Sequence, residues 1–397
     1  NSTQLNSTQL NSTQLNSTQL NSTQLNSAKT IKKRLSNFEL LRILAMFFIV
    51  WSHTPTQAFC VGDGLNDSLL AKILVSVFGW SGEIGNYLFI MISSYFILDS
   101  KFYWKNVFRI WFSVFSVSVI IVLILYFGKI EIVSFFDAPK YLASTFEETK
   151  HFVTGKELKV SLFPLYHNIY WFAGTYIIFY ILSPFLNVLV KNLKQQEHFF
   201  LAIFTFLLVS FIPVLPHESL YRVSSTGLDV FIEIFFIISY LKFYSPKLFE
   251  HKSCLLIGFI LLLCFSLLKY ICSIVQIPKH NFIESHFACS WSYMIASVFI
   301  FSGFKKIRLG EIKVINKIAG TTFGIYLFHG QPLIYALVLT KIFHLNRMIG
   351  SVFLPAYTLF VVMMVFIICS ILEIFRKKII EQPVMNVYDQ IKIKLLK

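Results

Sequence analysis

Ten residues separate Arg42 from His53 in RILAMFFIVWSH, a stretch otherwise apolar enough for lipid. Ionisable side chains inside such a run are costly and mark surfaces that face protein or water, not hydrocarbon. A histidine titrating near neutrality can take and return a proton. Arginine carries a rigid fork of donors for an anionic or carbonyl oxygen. Eleven residues of α-helix make about three turns, so both side chains leave nearly the same face, about 16 Å apart along the axis. Glu39 lies one turn before Arg42 on that side. The plainer readings are an arginine snorkelling to headgroups beside Glu39 and an interfacial histidine next to Trp51. The matched helical phase favours a functional pair lining a cavity.

Further candidates are scattered along the chain. Asp229 and Glu233, one turn apart, are expected to orient a histidine base or hold an acceptor sugar, or else to pair with Lys269. Glu83 opens the second apolar run and is either a substrate contact or a solvated residue. Tyr326 and His329 share a face in the middle of the ninth run, where the histidine reads more readily as a structural hydrogen-bonding residue than a reactive one. His217, His280, His286 and His344 fall in or beside loops, where a solvated role is expected. The cysteines (60, 254, 264, 272, 289 and 369) form no CxxC pair and no metal spacing, so they read as small buried residues and no metal site is expected. No GxSxG, Walker A, HExxH or dinucleotide-type glycine motif occurs.

The elements that must position these residues are transmembrane helices. The chain is 56% hydrophobic and 14% charged, with 44 phenylalanines. Apolar runs of about 20 residues, long enough to cross hydrocarbon as helices, recur at about 38–59, 79–98, 107–127, 168–188, 199–215, 228–244, 254–275, 287–304, 318–340 and 353–375. The expected fold is therefore an all-α polytopic membrane protein with about ten spans. Placing both termini in the cytoplasm gives the inner segments more than twice the lysine and arginine of the outer loops. That bias accounts for the net charge of +15. It describes a basic inner surface for anionic membrane lipids or a phosphorylated ligand, with no nucleic-acid partner.

Three regions are expected: a disordered tract over 1–30, an integral membrane domain over 31–384 and a cytoplasmic basic tail over 385–397. The first 25 residues repeat NSTQL, too polar to bury a core. The pentapeptide can be encoded as AAC-TCA-ACT-CAA-CTC, three copies of the unit AACTC. The expectation is a slippage-prone DNA repeat whose gain or loss of a unit switches the gene by phase variation, as suits a bacterial enzyme that decorates the cell surface. The chain opens on Asn1, so its translation start is expected upstream.

Beyond the repeats, the chain resembles the bacterial membrane acyltransferase family 3, which includes O-acetyltransferases of surface polysaccharides. FELLRILAMFFIVWSHT matches the family's R-x10-H signature at Arg42 and His53. GNYLFIMISSYFI (85–97) is similar to its G-V-x-L-F-F-x-I-S-G-Y-F, with Asn86 and Ser94 replacing valine and glycine. YWFAGTYIIFYILSPFLN (170–187) resembles W-F-L…Y-L-L-S-P-F-L, TTFGIYLFHGQPLI (321–334) resembles S-x-G-I-Y-L-x-H, and IIEQPV (379–384) resembles a closing E-x-P.

The resemblance implies acetyl-CoA as a cytoplasmic acyl donor and a sugar hydroxyl as acceptor, on a lipid-linked or surface polysaccharide such as lipopolysaccharide O-antigen or capsule. It implies the bacterial inner membrane, no permanently bound cofactor, and Arg42 and His53 as the reactive pair. His53 would activate the hydroxyl or carry the acetyl group itself; Arg42 would hold a phosphate or the thioester carbonyl. Tyr326 and His329 would line the same cavity. Lys101, Lys105, Arg109, Lys305, Lys306 and Arg308 are contacts for CoA phosphates or ordinary inner-face charge. The outer loop 128–167 is the expected place of glycan selection. The rival readings are a flippase or polymerase for lipid-linked glycans and a membrane sensor or assembly partner.

Overall fold

The apolar runs form helices. The computed structural model describes residues 34–59, 68–74, 79, 81–132, 151–211, 227–275 and 291–395. The NSTQL tract, His217, His280 and His286 lie outside the described residues, as do the side chain of Lys269 and residues 133–150 of the 128–167 loop. In chain order the helices are α1 (Ser36–Phe59), α2 (Leu69–Ile73), α3 (Ser81–Ile97), α4 (Trp104–Phe127), α5 (Gly155–Leu162), α6 (Trp171–Asn192), α7 (Gln195–Phe206), α8 (Leu228–Tyr244), α9 (Ser253–Val275) and α10 (Trp291–Lys306). After them come α11 (Lys313–Ala319), α12 (Thr322–His329), α13 (Pro332–Leu337), α14 (Leu354–Arg376) and α15 (Gln382–Leu395). The described residues form no β-strand, only an isolated antiparallel bridge between Ile132 and His151.

Trp104–Phe127, Trp171–Asn192 and Leu354–Lys394 are long and apolar enough to cross a membrane. Gln195–Phe211 and Ser253–Leu268 are shorter apolar helices. The last of the long ones runs for 41 residues, about 60 Å of helix against about 30 Å of hydrocarbon, so its C-terminal part extends past the core. The tail expected after residue 384 is thus helical, and Lys392 and Lys394 lie in its last turn.

The ninth apolar run is broken, where a continuous helix was expected. α11 stops at Gly320, α12 stops at Gly330, and α13 restarts at Pro332. Proline at the first helical position needs no N–H partner. The Gln331 side chain caps the restart, accepting from Leu333 N at 2.8 Å and Ile334 N at 3.2 Å. A chain break at membrane depth persists only where its backbone groups find such partners inside protein.

α1 is the axis of the molecule. Met46, Ile49, Val50 and Trp51 pack with α4, α12, α13 and α14, whereas Phe38, Leu41 and Ala45 pack with α3, α8 and α10. α3 comes so close that a Cβ on Gly85 would meet the Ala45 carbonyl oxygen at 2.5 Å and Ile49 Cγ1 at 2.6 Å. Away from this axis, α9 exposes Leu256, Ile260, Leu263 and Leu267 at helical spacing, and α14 exposes Phe360, Met363, Ile367 and Ile371. Cys264 lies exposed on α9, contrary to the expectation that it is buried, whereas Cys254 and Cys369 are buried. The outward face of α9 is itself apolar, so a small apolar thiol sits there as readily as in a core.

Candidate active site

His53 and His329 meet, although 276 residues separate them: His53 Nδ1 lies 3.2 Å from His329 Nε2. The other nitrogen of His329, Nδ1, is 2.6 Å from the Ile325 carbonyl oxygen one turn back. A carbonyl only accepts, so Nδ1 of His329 carries the proton. In the neutral pair Nε2 of His329 is then a lone pair, His53 Nδ1–H donates to it, and the lone pair of His53 falls on Nε2. The arrangement repeats the logic of a base held in one tautomer by an orienting acceptor. The orienting group is here a second histidine, and the anchor is a helix carbonyl.

Tyr335, in the restart helix α13, has its ring centroid 6.0 Å from both imidazoles. Its hydroxyl donates to Thr54 Oγ1 at 3.3 Å, and Thr54 donates to Val50 O at 2.8 Å. The break in the ninth run thus brings His329 and Tyr335 against the C-terminal half of α1. Tyr326, one turn before His329, packs its ring against Tyr170 and Phe172 at 6.1 and 5.8 Å.

At the other end of α1, Arg42 Nη1 donates to Glu39 Oε2 at 2.7 Å. The arginine side chain keeps 28% exposure, and it lies near Tyr176 of α6. The remaining candidates stand elsewhere. Glu83 is in the first turn of α3, next to Gly82, whose Cα faces Ser52 of α1. Asp229 Oδ1 takes the Val230 N–H at 3.0 Å, and buried Glu233 accepts from Ser210 at 2.7 Å. The orienting partner of the histidine is thus His329, not these carboxylates. Among the basic residues considered for CoA phosphates, Lys105 pairs with Asp389, and Lys305 and Lys306 pair with Glu250. Arg109 Nε lies 3.8 Å from Glu381. His344 occupies the left-handed region at φ 44°, before a short 3-10 turn.

Sequence reasoning passed over a buried ionic cluster at the far end of α14. Arg376 clasps Glu373 with Nε at 2.7 Å and Nη2 at 2.9 Å, and its Nη2 also reaches Glu381 at 2.6 Å. Ser116 accepts from Arg376 at 3.2 Å, and Ser113 donates to Glu381 at 3.1 Å. The signal was present: Glu373 is an acidic residue inside a lipid-like run, with arginine one turn on. Gln331 was passed over as well, as a neutral residue in a turn. No group of metal-ligating side chains forms among the described residues.

The family model of acyltransferase family 3, described as an acyltransferase domain, matches residues 35–373, a span that contains Glu39, Arg42, His53, His329 and Gln331. No curated protein and no solved structure matches the chain. With a family match over most of its length and long apolar helices, the chain belongs to acyltransferase family 3 and is a membrane acyltransferase.

Proposed function

We propose that the protein moves an acetyl group from cytoplasmic acetyl-CoA to a hydroxyl of a surface or lipid-linked polysaccharide, in the inner membrane of a bacterium. In this reading about ten spans cross the bilayer and both termini are cytoplasmic. The single observation that carries it is the fixed tautomer of the histidine pair, which puts a base nitrogen on His53 in a chain of the acyltransferase family. A sugar hydroxyl is a weak nucleophile until a base within hydrogen-bond reach takes its proton.

The step balances with the groups at hand. The hydroxyl oxygen attacks the thioester carbonyl as His53 Nε2 takes the hydroxyl proton, and the carbonyl π electrons move onto oxygen. The tetrahedral intermediate then collapses, the C–S bond breaks, and the thiolate leaves with the proton returned by His53. His329 steadies the imidazolium through its lone pair. Arg42 holds the donor's phosphate side with the donors that Glu39 leaves available. Lipopolysaccharide and capsule are the acceptor classes this reading favours, and the repeat tract makes expression phase-variable.

The test compares surface glycans by mass spectrometry in cells making wild-type protein or His53→Ala. The expected result is acetylated glycan with the wild type and none with the variant at equal protein level. Unchanged acetylation in the variant removes His53 from the mechanism. A flippase or polymerase would alter the amount or length of glycan and leave its acetyl content alone.

A further inference from the structure

Gln331 is fully buried, and its amide is oriented by chemistry. Oε1 must be the atom facing Leu333 N and Ile334 N, because only oxygen accepts. Nε2 therefore points the other way, and it meets no acceptor among the described residues. Buried donors without partners are rare and costly in folded proteins. This one lies in the helix break between His329 and Tyr335, the two residues that flank His53. It is two peptide units from His329, at most about 7.6 Å between Cα atoms.

We propose that Gln331 Nε2 is the donor that holds the acyl carbonyl oxygen as it becomes an oxyanion. The inference rests on the acyl-transfer reading above. When the sugar oxygen attacks, the carbonyl π pair moves onto oxygen, and an N–H already fixed in place stabilises that charge without reorganising. The thiolate then leaves and the carbonyl reforms, so Nε2 neither gains nor loses a proton. The double contact of Oε1 with α13 is what keeps the amide from turning. One side chain thus closes the helix break and aims a donor at the reacting atom.

Two substitutions separate these tasks. Gln331→Glu and Gln331→Asp both keep an oxygen able to cap α13, and both lack the N–H donor. The measurement is CoA thiol release from acetyl-CoA in membranes carrying the native glycan, alongside thermal unfolding of the purified variants. The expected result is a fall in kcat of about 10²- to 10³-fold, with KM for acetyl-CoA within a few-fold of wild type and unfolding temperature retained. Wild-type kcat in either folded variant overturns the proposal. So does a kcat loss matched by a loss of thermal stability in both, which would mark Gln331 as a cap alone. A wild type that releases no more thiol than His53→Ala overturns the acyl-transfer reading itself, and this inference with it. Activity lost in His53→Ala but intact in Gln331→Glu overturns only the role of Gln331.

Discussion

His329 sets which nitrogen of His53 holds the lone pair, so its removal frees the ring to adopt either tautomer and to rotate. His329→Ala is expected to lower kcat by about 10²- to 10⁴-fold, the range spanned by general base catalysis and by the loss of an orienting partner. Protein level and acetyl-CoA KM should stay near wild type, and steady-state kinetics in isolated membranes would read the split. Arg42→Lys keeps the charge and loses the fork. If bidentate geometry matters, acetyl-CoA KM rises; an unchanged KM would leave charge as the sole requirement. Arg42 and His53 were legible in the sequence because their spacing is local, a matter of helical phase. The partner of His53 was not legible in that way: a contact across 276 residues leaves no trace in periodicity. What the sequence did carry was the punctuation Gly330–Gln331–Pro332 that ends one helix and starts the next.

The elements hold these residues through close packing and one buried ionic cluster. Gly85→Ala would place a Cβ against the backbone of α1 at Ala45, which cannot give way as a flexible side chain does. The expected cost is about 1–3 kcal/mol, read as a lower unfolding temperature in detergent. Arg376 and Glu373 are 2% and 0% exposed at their side chains. Arg376→Met would leave Glu373 and Glu381 as buried charges without their arginine, at a cost of about 3–5 kcal/mol, and a stability series would show it as one of the largest single losses. On α5, burial alone would raise the Glu157 carboxyl, but the Thr154 hydroxyl and backbone N–H and the His151 ring outweigh it and hold the group below its ordinary value of 4.5. A lowered carboxylate stabilises the fold above its unfolded pKa and loses that contribution as pH falls through the folded value. Amide exchange in α5 should therefore differ between wild type and Glu157→Gln at neutral pH, and the difference should shrink as pH falls below 4.5 and vanish once pH passes the lower folded value. The helices themselves were readable as apolar runs, within a few residues at most ends. The ninth run misled, because a hydropathy average over the whole run hides the Gly330–Gln331–Pro332 punctuation within it.

At the scale of the whole molecule, the long apolar helices and the exposed aliphatic stripes on α9 and α14 fit hydrocarbon. In the proposed reading, the Lys and Arg bias of the loops turns Arg42 towards the donor side and His53 towards the acceptor side. The first half of α1 packs in one apolar cluster and the second half in the other. Residue identity at the ends of that helix was visible in the sequence, whereas its neighbours α3, α4 and the broken ninth run came only from the packing. The most direct measurement of the central claim is transfer of isotope-labelled acetyl from acetyl-CoA to glycan in vesicles carrying wild-type protein or His53→Ala. The prediction is label in the glycan with the wild type and none with the variant. Label transferred equally by both would contradict it.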